Sequence, residues 1–283
     1  MKILVFGKTG QVAMELRRQA DVIALDRTQA DLSDPDACAK VIKQTDADVI
    51  INAAAYTAVD SAETDEDLAK LVNATAPTEM ARAAAARGLP FLHISTDYVF
   101  DGNGTQARSA KNNTAPVNAY GRTKLLGEQG IAAAGGCYVI LRTSWVFSAH
   151  GSNFVKTMLK LGKERDTLSL VSDQIGGPTA AADIAATLLK MAASLHTRKA
   201  QSGIYQYSGT PDVSWETFAN EIFKQAGISV EVIGIPSSAY PTPAIRPLNS
   251  RMDCICINNM FGISRPDWRI GLADVLHELG ETK

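Results

Sequence analysis

The sequence predicts an α/β fold, a Rossmann-like doubly wound parallel sheet with a smaller mixed α/β substrate-binding part. Three observations predict it. Short β-branched and apolar runs alternate with helical stretches along most of the 283 residues. The first run ends in a glycine turn that opens a helix, the strand–turn–helix order that a dinucleotide-binding unit requires. From about residue 200 the pattern becomes shorter and more broken, which predicts a second part. Residues 1–145 are expected to form mainly the first part and residues 146–283 mainly the second, with some segments returning to the first.

Composition narrows the function. With 46% hydrophobic and 20% charged residues, the chain can bury a large core. The net charge of −2, with both signs interspersed, points to no nucleic acid and no acidic membrane surface as a partner. The apolar run after Met1 is too short for a signal peptide or a membrane span. Cys38, Cys137, Cys254 and Cys256 show no C-x-x-C and no metal spacing, and Cys254 and Cys256 alternate as strand neighbours would. All four read as reduced packing residues, which predicts a cytoplasmic protein. With four histidines and none paired at ligand spacing, no catalytic metal is expected.

Each element follows in order. Lys2-Ile3-Leu4-Val5-Phe6 is a strand, followed by Gly7-Lys8-Thr9-Gly10-Gln11-Val12-Ala13 and a helix. Gly7 and Gly10 let backbone N–H groups approach a pyrophosphate at the helix N-terminus, where the dipole favours anions. The spacing is G-x-x-G with Ala13 in the third place. A second strand, Val22-Ile23-Ala24-Leu25, ends at Asp26, nineteen residues after Gly7. A carboxylate there accepts hydrogen bonds from ribose hydroxyls and repels a 2′-phosphate, while Arg27 beside it works the other way. NADH is therefore expected, with NADPH possible. Asp31, before Leu32, either reaches the adenine amino group or caps a loop, and Ser33-Asp34-Pro35 reads as a helix start.

Val49-Ile50-Ile51 is a third strand, ending in Asn52-Ala53-Ala54-Ala55-Tyr56-Thr57, where small residues leave room for a cofactor. A long helical region over 62–87 follows, divided or kinked at Pro77. Phe91-Leu92-His93-Ile94 is the next strand; His93 reads as a packed core histidine, and Thr96 at the strand's end faces the ligand side. Residues 101–118 form a long Gly- and Asn-rich loop, which in a compact domain is often functional.

The loop leads to Tyr120 and Lys124, four apart at the start of a helix and so on one face. An ordinary phenol ionises near pH 10, and a neighbouring ammonium would lower that value toward acid–base work. Tyr138-Val139-Ile140-Leu141 is a strand that runs into Arg142-Thr143-Ser144-Trp145, with Trp145 at its outer end as a ligand contact or a rim aromatic. Further helices are expected over 153–163 and 215–225, after the Gly176-Gly177-Pro178-Thr179 turn, and over 272–279. Strands are expected over 168–171 and 204–206, and a Pro-rich loop over 236–250.

The glycine turn, the Ser95-Thr96-Asp97-Tyr98-Val99-Phe100 run and Tyr-x-x-x-Lys together resemble the extended short-chain dehydrogenase/reductases. More narrowly, Phe6–Val12, Asn52–Asp60, Arg142–Phe147, Gly177-Pro178-Thr179 and Arg246–Ser250 resemble the dTDP-4-dehydrorhamnose reductase family. The resemblance implies reduction of the C4 ketone of a dTDP-linked 4-keto sugar by a nicotinamide cofactor. It implies Tyr120 as proton donor, Lys124 lowering the pKa of Tyr120 and holding the nicotinamide ribose, and Thr96 bonding the carbonyl oxygen. Gly10, Gln11, Val12, Asp26, Asp31, Leu32, Ala55, Tyr56 and Thr57 fall at cofactor positions. Asp97 and Trp145 fall at substrate positions, and Arg246, Asn249 and Ser250 toward the nucleotide end.

The resemblance also implies a homodimer, and some members dimerise around a Mg²⁺ held by glutamates. Glu15 is present here, but Ala180-Ala181-Ala182-Asp183 carries no glutamate, so a Mg-linked dimer is not expected. Two other readings share the scaffold: a non-catalytic regulatory subunit similar to the beta subunit of methionine adenosyltransferase, and a nucleotide-sugar epimerase.

Overall fold

The computed structural model describes residues 1–197 and 200–282. In its first half the strands β1 (Ile3–Phe6), β2 (Val22–Leu25), β3 (Val49–Asn52), β4 (Phe91–Thr96) and β5 (Tyr138–Thr143) alternate with helices. These are α1 (Gln11–Gln19), α2 (Pro35–Gln44), α3 (Glu66–Lys70), α4 (Ala76–Ala86) and α5 (Ala119–Ala134). The chain continues through β6 (Val146–Phe147), α6 (Phe154–Glu164), β7 (Thr167–Val171), β8 (Ile175–Gly176), β9 (Thr179–Ala180) and α7 (Ala181–His196). It closes with β10 (Gly203–Gln206), β11 (Val213–Ser214), α8 (Trp215–Ala226), β12 (Glu231–Ile235), β13 (Asn249–Ser250), α9 (Ile255–Phe261) and α10 (Trp268–Glu278).

The main sheet has the order β10-β5-β4-β3-β1-β2, and every pairing in it is parallel. Its β1 and β3 are buried along their whole length, which is why they read as continuous apolar runs rather than alternating ones. On one face Leu16 of α1 and Ile184 and Leu188 of α7 pack on Val5 and Ile51. On the other, Ile42 of α2, Met80 of α4 and Ile131 of α5 pack on Leu4, Ile50 and Ile140. The chain leaves β1 toward β2 on one side and then crosses to β3 on the other. That reversal opens a crevice beyond the carboxyl ends of β1 and β3.

A separate apolar core is built from α6, α8 and α10, with Met158, Phe218, Ile222, Trp268 and Leu272 at its centre. Around it lie three small sheets: β8 between antiparallel β11 and parallel β13, β7 with β12, and β6 with β9. Between these segments α7 and β10 return to the main sheet, where β10 extends the edge beside β5. Among the described residues no helix is long and apolar enough to cross a membrane.

Several expectations are corrected. Residues 62–87 are not one helix kinked at Pro77. A 3₁₀ turn (Ser61–Glu63), α3 and a π-helical turn (Leu71–Thr75) precede α4, and Pro77 sits in the first turn of α4, where its missing N–H costs nothing. The irregularity is the π turn, which carries the buried Asn73 inward. Cys254 and Cys256 are not strand neighbours: Cys254 precedes α9 and Cys256 lies within it, exposed rather than packed. Two alternations are too few to separate a strand from a single helical turn. Residues 236–250 contain a 3₁₀ turn (Ser237–Ala239) and β13, and β12 arises in a stretch with no marked alternation.

Candidate active site

A cleft of about 780 Å³ opens beyond the carboxyl ends of the main sheet. Gly7, Gly10, Gln11, Val12, Asp26, Asp31, Leu32, Ala55, Tyr56, Thr57, Thr96, Asp97, Tyr120, Lys124 and Trp145 all line it. Arg246, Asn249 and Ser250 do not.

The end near α1 is shaped for a phosphate. Gly7 has φ +108°, open to glycine at little cost, and a Cβ there would meet the Ala53 carbonyl carbon at 3.3 Å. Gly10 precedes α1 and supplies no side-chain cap, so the first N–H groups of that helix face the cleft without a capping side chain. Gln11 accepts hydrogen bonds from Ser148 Oγ at 2.8 Å and Asn153 Nδ2 at 3.0 Å, tying the first turn of α1 to the chain after β6.

Asp26, at the end of β2, accepts from Thr28 Oγ1 at 2.6 Å and Lys8 Nζ at 3.1 Å, and these bonds hold its carboxyl below the usual range. Asp31 takes the capping alternative. It accepts from Ser33 N and from Arg27 Nε, each at 2.9 Å, and the Ser33 backbone followed by Arg27 lowers it to about 2. Arg27 is thereby paired with Asp31. After β3 the backbone of Tyr56 is fixed at both ends by Asn73, whose Oδ1 accepts from Tyr56 N at 2.8 Å while Nδ2 donates to Tyr56 O at 3.1 Å. Asn73 also donates to Thr123 Oγ1 at 3.2 Å, joining this loop to α5.

The chemistry collects where β4 meets α5. Asn118 caps α5 by accepting from Gly121 N at 2.8 Å, and Gly121 is required because a Cβ there would strike the carbonyl oxygen of Tyr98. This close approach brings Tyr120 against the strand end, its hydroxyl beside Thr96 and its ring edge-on to Tyr98 at 5.6 Å between ring centroids. Thr96 Oγ1 donates to Asp97 Oδ1 at 3.1 Å and accepts from Tyr98 N at 3.1 Å. Asp97 is 4% exposed, its Oδ2 has no partner, and burial raises it to about 6 against the nearby Ser250 and Thr96 hydroxyls.

Lys124 is 1% exposed and does not act on Tyr120 as expected. Its Nζ lies 3.0 Å from His93 Nε2 and donates to Ile94 O at 2.6 Å, and burial pulls it down to about 8. Burial, then the Asp97 charge, holds the Tyr120 phenol above its ordinary value rather than below it. His93 is fully buried and hydrogen-bonded, the packed histidine that was expected.

Opposite this group Trp145 adopts φ +49°, rare for a residue with a side chain, and stacks on Trp215 with ring centroids 3.5 Å apart and planes 10° from parallel. Trp215, seventy positions away in sequence, gave no local signal. The three residues outside the cleft are engaged elsewhere in the chain. Arg246 bonds Asp60 at 2.7 Å, Asn249 donates to the carbonyl oxygens of Asn103 and Gln106, and Ser250 is buried with its hydroxyl near Asp97.

The cleft therefore has room for a dinucleotide. The Gly7 cradle and the uncapped start of α1 suit its pyrophosphate, and Asp97 Oδ2 and Thr143 Oγ1 are buried polar atoms of the wall without partners.

Comparison with known proteins agrees. The family described as RmlD substrate binding domain matches residues 1–281. A dTDP-4-dehydrorhamnose reductase from Burkholderia thailandensis is 43% identical, the match covering 99% of each chain. The crystal structure of a dTDP-4-dehydrorhamnose reductase from Clostridium acetobutylicum superimposes with a TM-score of 0.93 at 36% identity, over 99% of this chain and 100% of the other. One from Bacillus anthracis, in complex with NADP, gives 0.92 at 34%, over 98% of this chain and 99% of the other. A cleft of this make-up and likeness along the whole length together place the chain in the dTDP-4-dehydrorhamnose reductase family.

Proposed function

We propose that the chain reduces the C4 ketone of dTDP-4-dehydro-L-rhamnose (dTDP-6-deoxy-L-lyxo-4-hexulose) to dTDP-L-rhamnose, the last step of dTDP-rhamnose biosynthesis. The observation that carries this reading is the convergence of the Thr96 and Tyr120 hydroxyls in one cleft with the Gly7–Val12 turn. A bound nicotinamide dinucleotide supplies the hydride. Tyr120, and Thr96 once its hydroxyl turns from Asp97, donate hydrogen bonds to the carbonyl oxygen as negative charge develops on it. Tyr120 then gives up its proton, which its raised pKa keeps in place until an alkoxide, more basic still, is there to take it.

Residues 1–145 mainly hold the dinucleotide and residues 146–283 mainly the nucleotide-sugar, with Asp97 and Trp145 at the sugar. Lys124 holds the nicotinamide ribose. Asp26 supports NADH as the preferred cofactor; Lys8 and Arg27 nearby leave NADPH usable. Glu15 is turned inward, 6% exposed and 2.9 Å from His150 Nε2, so a homodimer, if formed, is not linked through Mg²⁺ at this residue. The four unpaired cysteines suit a reducing compartment, in keeping with a cytoplasmic protein.

The test is a coupled assay in which the 4-keto sugar nucleotide is made enzymatically and NADH and NADPH oxidation are followed separately. Cofactor consumption with dTDP-L-rhamnose as product is expected. Cofactor binding without consumption of either would overturn the reading in favour of a regulatory subunit or an epimerase.

A further inference from the structure

Trp145 reaches the cleft through a backbone turn that its own residue type does not favour. Its φ of +49° lies in the left-handed region, which a bulky side chain seldom enters. Such a conformation persists where the surroundings over-determine it. Three contacts do so, and all come from the second part of the chain. Thr179 N donates to Trp145 O at 3.1 Å. Gly176 of β8 lies against the indole, since a Cβ on it would stand 2.9 Å from Trp145 Cε2 and 3.1 Å from Nε1. Trp215 covers the ring itself, with centroids 3.5 Å apart and planes 10° from parallel.

Trp215 is held in its turn. Its Nε1 donates to Gln174 Oε1 at 3.1 Å, and Gln174 Nε2 donates to Ser237 Oγ at 3.0 Å. Phe154 packs on it with ring centroids 4.6 Å apart. The small sheet of β8, β11 and β13 explains why these groups meet. Gly176 is the register partner of Val213, two residues before Trp215, and also of Ser250, beside Asp97. Trp215 itself lines the cleft, whereas Trp268, the third tryptophan, is buried in the second core.

We propose that Trp215 is a positioning residue for the sugar: by stacking on Trp145 it holds that residue in its left-handed conformation, and so fixes the aromatic wall opposite Thr96 and Tyr120. Without the stack Trp145 relaxes toward extended backbone, and its ring leaves the wall. The paired indoles exclude water from one side of the cleft and offer an apolar surface to the C–H face of a pyranose. The hydroxyls of Thr96 and Tyr120 lie across from them, where the sugar presents its carbonyl. The phosphate end, built on Gly7 and the start of α1, does not depend on this stack. The inference rests on the placement of the sugar at Trp145 proposed above, so its test reads the stack, the two ends of the cleft and turnover separately.

Indoles stacked this closely couple their electronic transitions. Circular dichroism of the cofactor-free protein should therefore show an exciton couplet that disappears in Trp215→Leu and in Trp145→Leu alike. Calorimetry with dTDP-L-rhamnose and, separately, with NADPH then measures the two ends of the cleft. In Trp215→Leu the sugar nucleotide should bind about three- to tenfold more weakly, the contribution of one aromatic pair, with NADPH affinity unchanged. KM for the 4-keto sugar should rise by the same factor while kcat holds, and Trp215→Phe should recover most of the loss. Gly176→Ala, which crowds Trp145 and leaves Trp215 in place, should weaken sugar binding in the same direction. Equal losses of sugar and NADPH affinity would show a general structural role and overturn the inference. So would unchanged sugar affinity once the couplet is gone, or no couplet in the unaltered protein. Unaltered protein that shows the couplet and the affinity difference but turns nothing over would leave the inference standing and remove the reductase reading.

Discussion

Glu128 and Arg142 face each other as a two-pronged ion pair, Nε to Oε1 at 2.9 Å and Nη2 to Oε2 at 2.6 Å, each 2% exposed. Glu128 Oε1 also accepts from Ser95 Oγ at 2.6 Å, and the Arg142 guanidinium lies 5.0 Å from the centre of the Phe100 ring. Glu128 stands one helical turn beyond Lys124, and Ser95 precedes Thr96. The pair and its Ser95 bond therefore fasten α5, which carries Tyr120, to β5 and to β4, which carries Thr96.

Removing one member of a buried pair leaves the other charged and unsolvated, which costs about 3–5 kcal/mol. Glu128→Ala is expected to lose stability on that scale in denaturant unfolding. A loss below about 1 kcal/mol, the range of surface pairs, would show that Arg142 finds other partners.

Tyr120→Phe removes the proton donor but leaves the ring. Turnover should fall by roughly 10²–10⁴, the usual contribution of a positioned acid or base, while titration calorimetry still detects cofactor binding. Near-normal turnover would take Tyr120 out of the mechanism.

Asp26→Ala removes the carboxylate at the ribose position and releases Lys8, its partner at 3.1 Å. The ratio of kcat/KM for NADH over NADPH should fall by about tenfold, the equivalent of one charge-assisted hydrogen bond. An unchanged ratio would show that preference is read elsewhere.

Asp97 makes stability depend on pH with an unusual sign. Its carboxyl is raised to about 6 in the folded protein, above the usual 3.8, so between those values the folded state holds a proton the unfolded state has released. Stability from this group is full below about pH 4 and is lost as pH rises through about 6, by up to about 3 kcal/mol. Asp97→Asn should flatten that window in unfolding curves taken from pH 4 to about pH 7, raise stability at neutral pH and weaken substrate binding. A window that persists in the variant would assign it to another group.

Much of this was legible in the sequence because it is local. Gly7, Asp26, Thr96 and Tyr120 each stand at a strand end or helix start that turn chemistry and periodicity mark out, and the cleft gathers them. What stayed hidden depends on pairing across distance. Asn73 joins Tyr56 to Thr123 only because a π turn rotates it inward, and Trp215 stacks on Trp145 only because a second core brings α8 there. The i, i+4 spacing placed Tyr120 and Lys124 on one face, but not the partner of each. Lys124 turned toward His93, since β4 offers a ring nitrogen and a carbonyl to a buried amine.

The position of β10 has a consequence for how the chain is made. The edge of the main sheet beside β5 is closed by residues 203–206, and α7 covers the face that α1 begins, so both arrive after β6 to β9 have been synthesised. A ribosome that has released only residues 1–145 presents an uncovered sheet with a bare β5 edge. The first half cannot complete itself before the second has been threaded around it, and its exposed edge during that interval is where aggregation would start.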